Sequence, residues 1–100
     1  MENLTFNMKV AVDLALRDAR AKSLDENEYC IRGVTPAEVC HYLEEIGFDV
    51  DSVDYDGVYD NVFTTYSRDE LCIVLDWNGW TGFVAVMGFN ADNYYGNSDC

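Results

Sequence analysis

Carboxylates crowd one stretch of this chain: Glu44, Glu45, Asp49, Asp51, Asp54, Asp56 and Asp60. Side chains of this type at this density serve three kinds of chemistry: cation ligation, acid–base catalysis, or presentation of a negative surface to a basic partner. The first is suggested by Ser52-x-Asp54-x-Asp56-Gly57, with Asp60 in the ninth position, which follows the rhythm of an EF-hand calcium loop. The match fails where affinity is made. Position one is Ser52 instead of aspartate, and position twelve is Phe63, where a bidentate glutamate is needed. The flanking segments also read as strands, so the expectation is a solvated acidic hairpin and no metal site.

Catalysis finds little support. Paired carboxylates can cleave glycosides, but 100 residues leave little room for a substrate cleft. His41, the sole histidine, follows Cys40 directly. On a helix the two side chains diverge by about 100°, which defeats a nucleophile–base pair. Cys30 could reach His41 through the fold, but nothing in the sequence requires it. No P-loop, GxGxxG, HExxH or GxSxG is present. The expectation is a binding protein, not an enzyme, with no cofactor.

The aromatic residues bear on binding. Trp77 and Trp80 bracket Asn78-Gly79, while Tyr55, Tyr59, Phe63 and Tyr66 fall on neighbouring strands. Core packing and cross-strand aromatic pairs are the favoured reading. The alternative is an exposed patch rimmed with acids, anchored by Tyr59 and Trp80, with the Tyr94-Tyr95 pair able to serve the same end.

The elements that must position these residues can be read from periodicity. From about Asn3 to Lys22, Leu4, Met8, Ala11, Val12, Ala15, Leu16 and Ala19 recur at helical steps and predict a broad buried face. Lys9, Asp13 and Arg17 form an i, i+4 ladder, and Asp18–Lys22 adds a pair, each worth only about 0.2–0.5 kcal/mol. Residues 23–34 read as a loop with a short extended piece at Tyr29-Cys30-Ile31. A second helix starts sharply: Thr35 caps it, Pro36 takes its first position, and Glu38 completes a capping box. Val39, Tyr42, Leu43 and Ile46 supply its apolar stripe, and Gly47 stops it.

After Gly47 the period changes towards two. Strands are predicted near 52–56, 58–66, 71–77 and 80–89, separated by Asp56-Gly57, Ser67-Arg68-Asp69 and Asn78-Gly79, the Asp-Gly and Asn-Gly pairs read as positive-φ hairpin turns. Leu71–Leu75 is apolar on both faces and should be central; Phe83–Met87 behaves alike. The predicted fold class is α+β, two N-terminal helices followed by a three- to four-stranded antiparallel β-meander. One domain spans residues 1–100, with 90–100 a loosely ordered tail.

Charge narrows the partner. The net charge is −13 over a chain that is 49% hydrophobic and 14% aromatic, far too apolar for a disordered tail. Residues 1–22 hold four bases and three acids, net +1, whereas residues 23–100 hold two bases and sixteen acids, net −14. Such a field repels nucleic acid and anionic membranes and attracts basic proteins. Self-repulsion of that size opposes folding, so its retention is easier to understand if the field is used. No signal peptide or membrane-spanning run is evident. Cys30, Cys40, Cys72 and Cys100 lack metal-ligand spacing and read as reduced thiols, with Cys40 and Cys72 buried. A cytoplasmic protein is expected.

In size, charge asymmetry and α+β organisation the chain resembles small acidic DNA-mimic inhibitors of the phage anti-restriction and anti-CRISPR type. The resemblance implies that rigidly held carboxylates stand in for phosphates in the basic groove of a nucleic-acid-binding protein within a bacterial host cell. Glu44, Glu45, Asp49, Asp51, Asp54, Asp56 and Asp60 would carry that contact, with Asp69 and Glu70 secondary. The other readings are an immunity or antitoxin protein against a basic nuclease, with Tyr59 and Trp80 dominant, and a structural or calcium-responsive acidic module.

Overall fold

A computed structural model describes residues 7–24, 27–58, 60–79 and 81–94, with residues 93 and 94 described by backbone alone. The elements run α1 (Met8–Arg20), β1 (Tyr29–Ile31), α2 (Pro36–Glu45), β2 (Asp49–Asp56), β3 (Asn61–Arg68), β4 (Leu71–Asn78), β5 (Val84–Asn90) and a single helical turn, α3 (Ala91–Tyr94). The α+β class and the antiparallel meander hold. Two details differ from expectation: a strand separates the two long helices, and the sheet has five strands in the order β1-β5-β4-β3-β2. The short extended piece at Tyr29-Cys30-Ile31 is that extra strand. It pairs with β5 at the end of the meander, Tyr29 opposite Val86 and Ile31 opposite Val84. A three-residue strand is too short to show a period, so only this long-range pairing makes it part of the sheet.

Both long helices lie on one face. Ala11, Val12, Ala15, Leu16 and Ala19 of α1 join Val39 and Leu43 of α2, Tyr66, Ile73, Leu75, Val84 and Val86 in one buried cluster. These strand residues fall in register on a common face: Tyr66 opposite Ile73, Leu75 opposite Val86, Trp77 opposite Val84. β4 is central, and Leu71 to Leu75 are all buried, as their two-sided apolar pattern requires. Helix α1 lies over β5, β1 and β4. It comes so close at Gly88 that a Cβ there would stand 1.8 Å from the Ala15 carbonyl oxygen.

The helix ends are set by local chemistry. Thr35 and Glu38 close the capping box reciprocally around the start of α2. At its end the Phe48 amide donates to Leu43 O and the Gly47 amide to Glu44 O, with Gly47 at φ +97. That is a Schellman motif, with Phe48 and Leu43 as its buried apolar pair. Helix α1 ends in the same way without a glycine: Ser23 donates to Asp18 O and Lys22 to Ala19 O, and Lys22 takes φ +54. The side-chain ladder on α1 does not close as ion pairs among the described residues. Lys9 sits 5.9 Å from the Tyr42 ring centroid, Lys22 pairs with Asp92 at 3.4 Å, and Asp18 instead accepts from the Tyr29 hydroxyl at 2.7 Å. These alternatives come from other elements, which a single-helix reading cannot see.

The turns are not those expected from the Asp-Gly and Asn-Gly pairs. Asp56 is opposite Asn61, so residues 57–60 form a longer loop, and Asp60, not Gly57, takes positive φ (+53). Trp77 is opposite Val84, so β5 begins at Val84 and not near residue 80. Asn78 Oδ1 accepts from Thr81 N at 2.9 Å, and the Phe83 carbonyl accepts from Asn78 N at 3.2 Å, which holds this wider loop closed. The β3–β4 turn is the tight one, two residues between Arg68 and Leu71, with Asp69 at φ +55. Asn90, expected in a loose tail, is buried at the end of β5 and donates to Ala19 O at 3.4 Å; residues 95–100 of that tail lie outside the described residues.

Candidate functional site

Strand β2 closes the sheet opposite β1, and among the described residues no further strand pairs with its outer edge. Seven of its eight residues are exposed and the eighth, Asp56, is half-buried. The sequence placed its start at 52; it begins at Asp49, because a bulge between Val50 and Ser52 inserts Asp51 and breaks the two-residue period. Beyond the bulge the register with β3 is regular from Ser52 opposite Thr65 to Asp56 opposite Asn61.

Register then sorts the side chains. Val50 is opposite Tyr66 and Tyr55 opposite Val62, which puts Val50, Val53 and Tyr55 on the helix-bearing face. Asp49, Ser52, Asp54 and Asp56 share the other face, and from Ser52 onwards same-face neighbours stand about 6.6 Å apart along the strand. The helices do not reach this far, so the apolar row is open: Val50 is 50% exposed, Val53 61% and Tyr55 65%. Tyr55 was among the aromatics that the sequence offered for an exposed patch; Val50 and Val53 were not, because the bulge spaces the row 50, 53, 55, which matches no single period.

Of the predicted acids, Glu44 and Glu45 are exposed in the last turn of α2 and lead through Gly47 into β2. With Asp49, Asp51, Asp54 and Asp56 they make one acidic run along an edge. Glu45 lies 3.4 Å from His41, itself exposed on α2, while Cys40 turns inward and its Sγ accepts from the buried Tyr66 hydroxyl. The two adjacent side chains therefore face different surroundings. Among the described residues no ion pair involves Asp49, Asp54 or Asp56. The nearest base in register, Arg68, is engaged elsewhere. Its guanidinium donates to Ile46 O at 2.5 Å and lies 4.9 Å from the Phe48 ring.

The remaining acids have other tasks. Asp60 accepts from Tyr55 Oη at 3.0 Å, and its carbonyl accepts from Gly79 N at 2.9 Å, tying together the loops at one end of the sheet. That bond to Asp60 is the leading cause that raises the Tyr55 phenol above its ordinary pKa. Asp56 Oδ1 caps its own loop by accepting from Val58 N. Asp69 and Glu70 line a cavity of about 250 Å³ together with Arg20, Lys22, Leu71 and Asn90, so they face bases and do not extend the run on β2.

The calcium-like rhythm falls on an extended strand, so Ser52, Asp54 and Asp56 lie along a line instead of converging on a centre. Among the described residues no group of three or more metal-ligating side chains is gathered. Tyr59 and Trp80 lie outside the described residues. Of the other aromatics, Tyr66 is core, Trp77 packs against the core and Tyr55 is exposed. Cys72 is buried; Cys40 is only half-buried, because α2 turns it towards the Tyr66 hydroxyl at the margin of the core. No helix among the described residues is long and apolar enough to cross a membrane.

Compared with protein-family models, curated proteins and solved structures, the chain matches none.

Proposed function

We propose that the protein is an acidic inhibitor that binds another protein, presenting its β2 edge as a nucleic-acid mimic to the basic groove of a nucleic-acid-binding defence protein. The observation that carries this reading is the exposed edge strand itself, with Asp49, Asp54 and Asp56 on one face and no base paired to them among the described residues. Asp54 and Asp56, about 6.6 Å apart along the strand, span roughly the axial advance of two phosphates on one DNA strand, about 3.4 Å of helix axis each. Glu44 and Glu45 extend the charge. They stand at the C-terminal end of α2, where the helix dipole opposes acids, and no base shares that turn. Charges kept against a local electrostatic cost are explained if a partner uses them. Asp69 and Glu70 play a smaller part, since Arg20 and Lys22 stand beside them.

The open row Val50, Val53 and Tyr55 favours a second reading within the same class, an immunity or antitoxin protein seated on a basic nuclease. In that case apolar contact, not charge, dominates affinity.

The test is capture from a nuclease-treated bacterial lysate by the wild-type chain and by the triple variant Asp49→Lys/Asp54→Lys/Asp56→Lys. The mimic reading expects a nucleic-acid-binding protein that leaves the wild type between about 0.1 and 0.5 M salt. Duplex DNA or RNA should displace it, and the folded triple variant should not retain it. Unchanged retention by that variant would refute the mimic. Loss on Val53→Ala/Tyr55→Ala, with salt-resistant binding otherwise, would favour the nuclease inhibitor.

A further inference from the structure

We propose that β2 is completed by strand addition: a basic, extended segment of the partner hydrogen-bonds along Ser52–Asp56 as a sixth strand. The inference takes the sign of the partner's charge from the reading above and adds the geometry of recognition. A sheet edge offers a row of backbone donors and acceptors, and extended peptides commonly exploit such edges. Here the stretch beyond the bulge keeps regular register with β3, and the side chains of β2 leave it open on both faces.

The two faces specify the occupant. Residues directly opposite on paired strands stand about 4.5–5.5 Å apart and lie on the same face. A segment alternating Lys or Arg with Val, Ile or an aromatic would set its cations beside Asp54 and Asp56. Its apolar side chains would then cover Val53 and Tyr55. Neither row alone selects such a segment; the two together do.

A second copy of the chain is a poor occupant. In a two-fold antiparallel pairing of β2 with itself, the acidic row of one copy lies opposite the acidic row of the other, and directly opposed like charges are destabilising. The acids thus guard the edge against self-association while leaving it open to a basic strand.

The probe is an acetylated, amidated octapeptide alternating lysine and valine. Its control is the same peptide with every central backbone nitrogen methylated, which keeps charge and side chains but removes the donors. Binding is measured by calorimetry at low salt, and hydrogen exchange is followed along the full chain. Strand addition expects the first peptide to bind, amides within 52–56 to exchange more slowly, and methylation to weaken binding at least about tenfold. Equal, salt-sensitive affinity for both peptides would overturn strand addition while leaving the acidic-surface reading intact. No binding of either peptide would also overturn it. If Asp49→Asn/Asp54→Asn/Asp56→Asn bound the first peptide as well as the wild type, the role given to charge would fall, and the parent reading with it.

Discussion

Asp76 is a carboxyl whose ionisation is opposed by burial. It lies on β4, half-buried, opposite Phe63 and Ala85 on the face that the helices do not cover. Burial raises its pKa, and the hydrogen bond it accepts from Asn61 Nδ2 at 2.9 Å only partly opposes that rise. Asn61 in turn accepts from Asn78, so Asp76 ends a hydrogen-bond chain that reaches the β4–β5 loop. Its folded carboxyl holds a proton to higher pH than the unfolded one, which titrates near about 3.9. Between those values the native state binds more protons, so stability falls as pH rises through the window. Asp76→Asn keeps the acceptor and cannot ionise. Its stability relative to wild type should therefore climb as pH rises past the unfolded value of about 3.9 and level off once pH exceeds the raised folded pKa. Urea unfolding of both proteins across that range checks this, and a difference that stays flat with pH would refute it.

At the scale of elements, the contact between α1 and β5 decides how the sheet is covered. A side chain at Gly88 would meet backbone, not a yielding side-chain end, so the helix would have to lift from the strand. Gly88→Ala should destabilise by about 3 kcal/mol or more, at or beyond the upper end of ordinary overpacking. Chemical denaturation of the variant measures it; a loss below about 1 kcal/mol would mean that α1 can slide. This contact was not legible in the sequence, where Gly88 merely interrupts an apolar run. The helix signals were legible because they are local: Thr35, Glu38 and Gly47 satisfy amide and carbonyl groups within a few residues, and Pro36 brings no donor to the first turn. The Asp-Gly and Asn-Gly pairs misled for the opposite reason. The length of each connection is fixed by strand register, and here register made both loops longer than two residues.

At the scale of the whole molecule, charge is segregated by the sheet. Helix α1, with Lys9, Arg17 and Arg20, lies over β1, β5 and β4, while the acidic run lines β2, three strands beyond β5, or about 14 Å. Repulsion within the acidic half is therefore poorly relieved internally. Raising NaCl from about 0.01 to 0.15 M shortens the Debye length from about 30 to 8 Å, and should raise the melting temperature. The increase should shrink in Asp49→Asn/Asp54→Asn/Asp56→Asn; thermal scans of both proteins at the two salts check this, and an equal response would place the repulsion elsewhere. The sequence by itself determined the α+β class, the capped second helix, the central apolar strand and the acidic character, because each depends on composition or on neighbours along the chain. It also named the acids that fall in the last turn of α2 and along β2. Only the tertiary structure decided that Tyr29–Ile31 joins the sheet, that Asp60, Asp69 and Glu70 are engaged elsewhere, and that Val50, Val53 and Tyr55 stand open beside the acids. Those outcomes depend on which strand lies at the edge and how far the helices reach across the sheet, and pairing between distant residues fixes both.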